Sequence, residues 1–164
     1  MADIRRDIAR IVERHLEEIL DRTMETLVAE VPAVTRQDDA GRARVRASTK
    51  HATLAFLAVF SDPESPARVM LDEARRATVD RAGEIFQRDE ILSIIAVARH
   101  VIFHSARDIV LAERGADAET EREVAVAMEA FLTELERDET IMASSRDPVD
   151  DLLRAAERED ADLG

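Results

Sequence analysis

The chain has 164 residues, 46% of them hydrophobic and 36% charged, with four Gly, four Pro and 3% aromatic residues; this profile suits helices packed through Ala, Leu, Ile and Val. It lacks Cys, which excludes disulfides, Cys-ligated zinc and thiol catalysis. The net charge of −13 is uneven, close to −2 over residues 1–116 and −11 over residues 117–164; such a surface repels phosphate backbones, so no direct nucleic-acid binding is expected.

No apolar run is long enough to span a bilayer, and the charged start "MADIRRDIAR" has no signal-peptide core. The expectation is a cytoplasmic all-α bundle of five to six helices, with residues 1–146 as the helical domain and 147–164 as a short acidic terminal helix or connector. Of the 23 basic residues, Lys50 is the sole lysine.

The first predicted helix runs from about Asp3 to Glu30, because Ile4, Ile8, Ile11, Val12, His15, Leu16, Ile19, Leu20, Thr23, Leu27 and Val31 recur at spacings of three and four. Pro32 stops it. A stripe with a near 3.5 period is the pattern of a helix seam, inside a bundle or across a dimer, and His15 lies on it. A core or interface histidine is the plain reading of His15; a pH-sensitive contact is the other.

"TRQDDAGR", residues 35–42, reads as a polar linker, and the second helix covers about Ala43 to Phe60. The "SDPESP" turn comes next, with Pro66 suited to the first position of the third helix. That helix carries Met70, Leu71, Ala74, Thr78, Ala82 and Ile85 on its apolar side and weakens near Gly83. Asp89 reads as the N-cap of the fourth helix, residues 90–113, which Gly115 closes. Ile91, Ile95, Ala98, Ile102 and Ile109 centre its apolar face, the mark of a central bundle helix, while His100 and His104 fall on the opposite side.

The fifth helix starts near Thr120, where Thr120 and Glu123 suit a capping box, and Val124, Met128, Phe131, Leu135, Asp138 and Met142 keep a heptad spacing. Asp147 and Pro148 open a final short helix with Val149, Leu152, Leu153 and Ala156 as its stripe.

Chemical candidates are few. His100 and His104 stand one turn apart with Asp108 one turn further, a spacing that suits a divalent metal, yet Val101 occupies the position where a zincin needs Glu. A solvated or subunit-facing surface is the alternative reading. Haem requires a His entering an apolar pocket, and these two face away from the Ile side. Isolated glycines form no phosphate loop, and Ser105 beside His104 is sequence proximity rather than a triad. No enzymatic activity and no cofactor are assigned.

"ETLVAEVPAV", "RVRASTKHATLAFLAVF" and "DRAGEIFQRDEILSIIAVARHVIF" together resemble the N-terminal sensory domain of RsbR-type stress regulators and of PucR-like transcription regulators, over about residues 3–140. The resemblance implies a globin-like or related α-helical bundle without haem, a homodimer, and a signal passed to an output domain or protein partner. The first helix (Ile8, Ile11, His15, Ile19) and the fifth (Val124, Met128, Phe131, Leu135) are the expected dimer interface. The alternatives are a small-molecule or haem-binding helical sensor, and metal binding at the surface His pair.

Overall fold

The computed structural model describes residues 2–115 and 117–144, and the segment expected as a terminal helix, residues 147–164, lies outside them. The described residues form seven α-helices and no strand: α1 (Ala2–Arg14), α2 (Leu16–Glu30), α3 (Pro32–Thr35), α4 (Asp39–Ser61), α5 (Ala67–Ala82), α6 (Arg88–Arg114) and α7 (Ala118–Ser144). The all-α expectation holds. Two elements beyond the expected number arise from a break at His15 and from the single turn at Pro32–Thr35.

The first predicted helix is divided rather than continuous. His15 has φ −101° and ψ 12°, in the bridge region between helix and strand. Its N–H is shared between the carbonyls of Ile11 (3.3 Å) and Val12 (3.2 Å), both longer than a good helical bond. No Pro or Gly lies at this bend. Its cause is tertiary: α1 packs on α4, α6 and α7, whereas α2 packs mainly on α6.

The polar stretch 35–42 is largely ordered. Thr35 ends α3, and Asp38 caps α4 four residues earlier than expected, its carboxylate accepting from the Gly41 N–H at 2.7 Å. The third predicted helix, α5, begins just after Pro66 and ends at Ala82; the chain then turns through Ala82 carbonyl bonds to Ile85 and Phe86. That turn buries Phe86 (7% exposed) and leaves Ile85 51% exposed, so Ile85 does not share the apolar side assigned to it. Side chains 70, 71, 74 and 78 lie outside the described set.

Gln87, not Asp89, caps α6. The Gln87 side chain accepts from the Glu90 backbone N–H, while the Glu90 carboxylate accepts from the Gln87 N–H at 2.9 Å, closing a capping box. Gly115, with φ +85°, ends α6 as expected. At α7 the cap again falls earlier than Thr120: Asp117 accepts the Glu119 N–H on its side chain (3.2 Å) and the Glu121 N–H on its carbonyl (2.9 Å).

The main apolar cluster joins Ile8, Val12 and Ile19 with Phe56, Phe60, Ile102, Ala106, Val124, Met128 and Phe131. At its centre Phe131 meets Phe56 edge-on at 4.7 Å and Phe60 at 5.3 Å, the geometry in which ring edges meet ring faces. A second cluster gathers Leu27, Val31, Ala33, Val34, Val45, Phe86 and Ile91 at the other end of α2. The polar Thr23 is fully buried but donates to the Ile19 carbonyl at 2.7 Å, so its hydroxyl is satisfied within the helix.

Candidate functional site: the clasp at the helix break

The last turn of α6 faces the break between α1 and α2. Glu113 accepts from Arg14 Nη2 at 2.6 Å through one oxygen and lies 2.8 Å from His15 Nε2 through the other. The second ring nitrogen of His15, Nδ1, lies 3.5 Å from Glu18, which also pairs with Arg22 at 2.5 Å. Further up α1, Asp7 pairs with Arg114. Three residues of one bent helix therefore grip two adjacent residues at the end of another.

The electrostatics follow from position. A carboxylate in the last turn of a helix sits at the negative end of its dipole, so Glu113 needs cationic partners. The hydrogen bond from His15, followed by the charge of Arg14, holds the Glu113 carboxyl below its ordinary value. An imidazolium at His15 donates toward both Glu113 and Glu18; a neutral ring serves one as donor and offers the other a lone pair. The contact is stronger when His15 is charged.

A second polar network ties α2 to α4. Glu17 accepts from Lys50 (2.5 Å) and Arg46 (2.7 Å), and Arg46 also reaches Asp21 (2.9 Å). Lys50 and then Arg46 lower the Glu17 pKa, while Asp21 and then Glu17 raise that of Arg46. Glu17 and Asp21 are exposed and Arg46 and Lys50 half-buried, so the network contributes little net stability; it joins the two helices.

The sequence-predicted residues occupy different places. Ile8, Ile11, Ile19, Val124, Met128 and Phe131 are all buried within the single chain, none more than 3% exposed. Their side chains are occupied by the chain's own core, and His15 is half-buried in the clasp; the Leu135 side chain lies outside the described residues. His100 and His104 stand exposed on α6 with ring centroids 4.3 Å apart, and Phe103 meets His104 edge-on at 5.3 Å. Asp108 is also exposed. Among the described residues no three His, Asp or Glu gather closely enough to hold a metal.

None of the four histidines enters the apolar core: His51, His100 and His104 are exposed and His15 faces Glu113. A haem seated among the phenylalanines would find no imidazole there. A groove of about 240 Å³ lies between α1 and α4, with Arg6, Arg10, Glu13 and Ser61 around Leu54 and Leu57. It is smaller than the roughly 300–1,000 Å³ of ordinary ligand pockets. No described helix is long and apolar enough to cross a membrane.

The clasp escaped sequence reasoning because its partners are about a hundred residues apart, and nothing in the local pattern of "LAERG" marks Glu113 among so many acids. The family model of the RsbT co-antagonist protein rsbRD N-terminal domain matches residues 17–138. The chain belongs to this family. The match begins two residues after the break at His15, leaving α1 ahead of the matched region, and takes in α3 to α6 and most of α7. No curated protein and no solved structure matches the chain. Membership of the RsbRD N-terminal domains suggests a regulatory or sensory role in stress signalling.

Proposed function

We propose that this RsbRD N-terminal domain is a non-catalytic, cytoplasmic sensor that forms a homodimer and relays a signal to an output domain or protein partner. The observation that carries the reading is the course of α7. Its first half is anchored in the core through Val124, Ala127, Met128 and Phe131, and the same helix continues without a break to Ser144. A continuous helix transmits a shift at one end to the other, because its hydrogen-bonded turns move together. The far end of α7, at Ser144, therefore feels the packing of the bundle.

Two measurements test this. Light scattering on the purified chain is expected to give a dimer at micromolar concentration, and a strict monomer overturns dimerisation. For the relay, Thr133→Pro interrupts α7 at an exposed position beyond Phe131. The expected outcome is a bundle that still melts cooperatively while stress-response output in a cellular reporter is lost; a folded variant with unchanged output overturns the relay.

A further inference from the structure

We infer that the break at His15 is a hinge, and that two copies of this chain associate by exchanging α1, each first helix seating in the α4–α6–α7 groove of the other copy. This exchange rests on the proposed homodimer and specifies its geometry.

Four observations lead there. Residues 11–19, "IVERHLEEI", contain no Gly or Pro, and their Glu, Arg and Leu residues are good helix formers. Left to local preference, this stretch continues as one helix. Second, the apolar stripe passes through the break without a change of register: Ile8, Val12 and Ile19 are all buried in the same cluster. Third, the bend is held from outside, by Glu113 on His15 and Arg14 and by Arg114 on Asp7. Fourth, the residues that receive α1, among them Phe60, Ile102 and Phe131, lie on α4, α6 and α7. The groove itself belongs to elements that the hinge does not move.

The direction of a straightened helix selects the occupant. α2 runs along α6, and His15 sits opposite the last turn of α6. An unbent continuation carries Ile4, Ile8, Ile11 and Val12 past the end of α6, away from their own groove. Those side chains are buried in the closed form, at most 9% exposed, and cannot remain in water. The surface that fits them in every contact is the vacated groove of a second copy, since it is the same groove. Exchange of an identical element costs no new interface design.

The balance then turns on the hinge. Closure within one chain competes at an effective concentration of about millimolar, while each exchanged dimer gains two straightened hinges and loses the two hinge contacts of His15 with Glu113, the Asp7–Arg114 pairs re-forming between copies. His15→Ala and His15→Gly remove the His15–Glu113 contact equally but differ in helix preference, and that difference counted twice per dimer corresponds to about thirtyfold in the dimerisation constant.

The experiment uses the full chain. Its dimerisation constant is measured by sedimentation for wild type, His15→Ala and His15→Gly, with circular dichroism confirming that each variant is folded. Because the chain has no Cys, Asp7→Cys and Arg114→Cys placed on separate copies, mixed and refolded, report exchange through a short bismaleimide bridge that replaces the reach of the Arg114 side chain. The expected results are a tighter dimer for His15→Ala than for His15→Gly by about thirtyfold, and a covalent dimer joining the two singly substituted copies. A wild-type dimer with equal constants for both variants, and with the Asp7→Cys, Arg114→Cys double variant cross-linking only within one chain, overturns the exchange while leaving dimerisation intact. Monomers for all three proteins overturn both.

Discussion

Nε2 of His15 lies 2.8 Å from Oε1 of Glu113, joining the bend of the first helix to the final turn of α6 across 98 residues of sequence. This contact ties the bend to the end of α6, beside the apolar packing of α1 on α4, α6 and α7. Its chemistry also makes it sensitive to protonation and to substitution at either end.

Replacing Glu113 by Gln keeps the shape but removes the charge that Arg14 and His15 answer. The variant is expected to melt at a lower temperature than wild type at neutral pH. The folded Glu113 carboxyl is held below its ordinary 4.5, so its contribution is present above that value and fades as pH falls through the lowered folded value. The difference in melting temperature between wild type and Glu113→Gln should therefore shrink below about pH 4.5. A difference that stays constant down to strongly acidic pH contradicts the role given to the charge.

Phe131 is fully buried between Phe56 and Phe60, so Phe131→Ala leaves a cavity where helices of the core meet. The expected cost is about 3–5 kcal/mol, read from urea unfolding. A loss under about 1 kcal/mol would mean that the surrounding helices collapse into the space.

Ile11 is 3% exposed inside the chain, and Ile11→Asp places an unpaired carboxylate in an apolar cluster. The expected loss is on the order of several kcal/mol, enough to remove cooperative melting. Dimerisation must accordingly be probed with substitutions that leave the core intact, and a well-folded Ile11→Asp protein would show that this side chain escapes to solvent.

Asp38 caps α4 through the Gly41 N–H. Asp38→Ala should cost about 1 kcal/mol, and Asp38→Ser much less. Equal stability of all three proteins would mean that the cap contributes nothing to holding α4.

His104 is exposed, and its ring meets those of His100 and Phe103. His104→Ala is expected to change stability by under about 0.5 kcal/mol and to leave the zinc content of purified, tag-free protein unchanged by elemental analysis. Loss of bound zinc on this substitution would restore the metal reading of the pair.

The helical periodicities of Ile8 to Leu27, of Ile91 to Ile109 and of Val124 to Phe131 come from spacing along the chain, and the turns near Pro32, Pro66 and Gly115 come from backbone chemistry. Both are local properties, so the all-α class, the central place of α6 and the apolar stripes were legible in the sequence alone. The same local character explains the errors at caps. Asp89 and Thr120 are acceptable capping residues, but Gln87 and Asp117 take the positions because the helices begin two and three residues earlier, with side chains of their own that satisfy the first N–H groups.

Only the tertiary structure decided how the stripes were used. A stripe of Ile8, Ile11, Ile19, Val124, Met128 and Phe131 has the same pattern whether its partner is the same chain or another; within this chain these residues meet in one cluster. The break at His15 was invisible for a related reason. Residues 11–19 favour a straight helix, and the bend comes from packing on α4, α6 and α7 together with Glu113 and Arg114. Local preference fixes which segments are helical; long-range contacts fix where a helix that prefers to be straight has to bend.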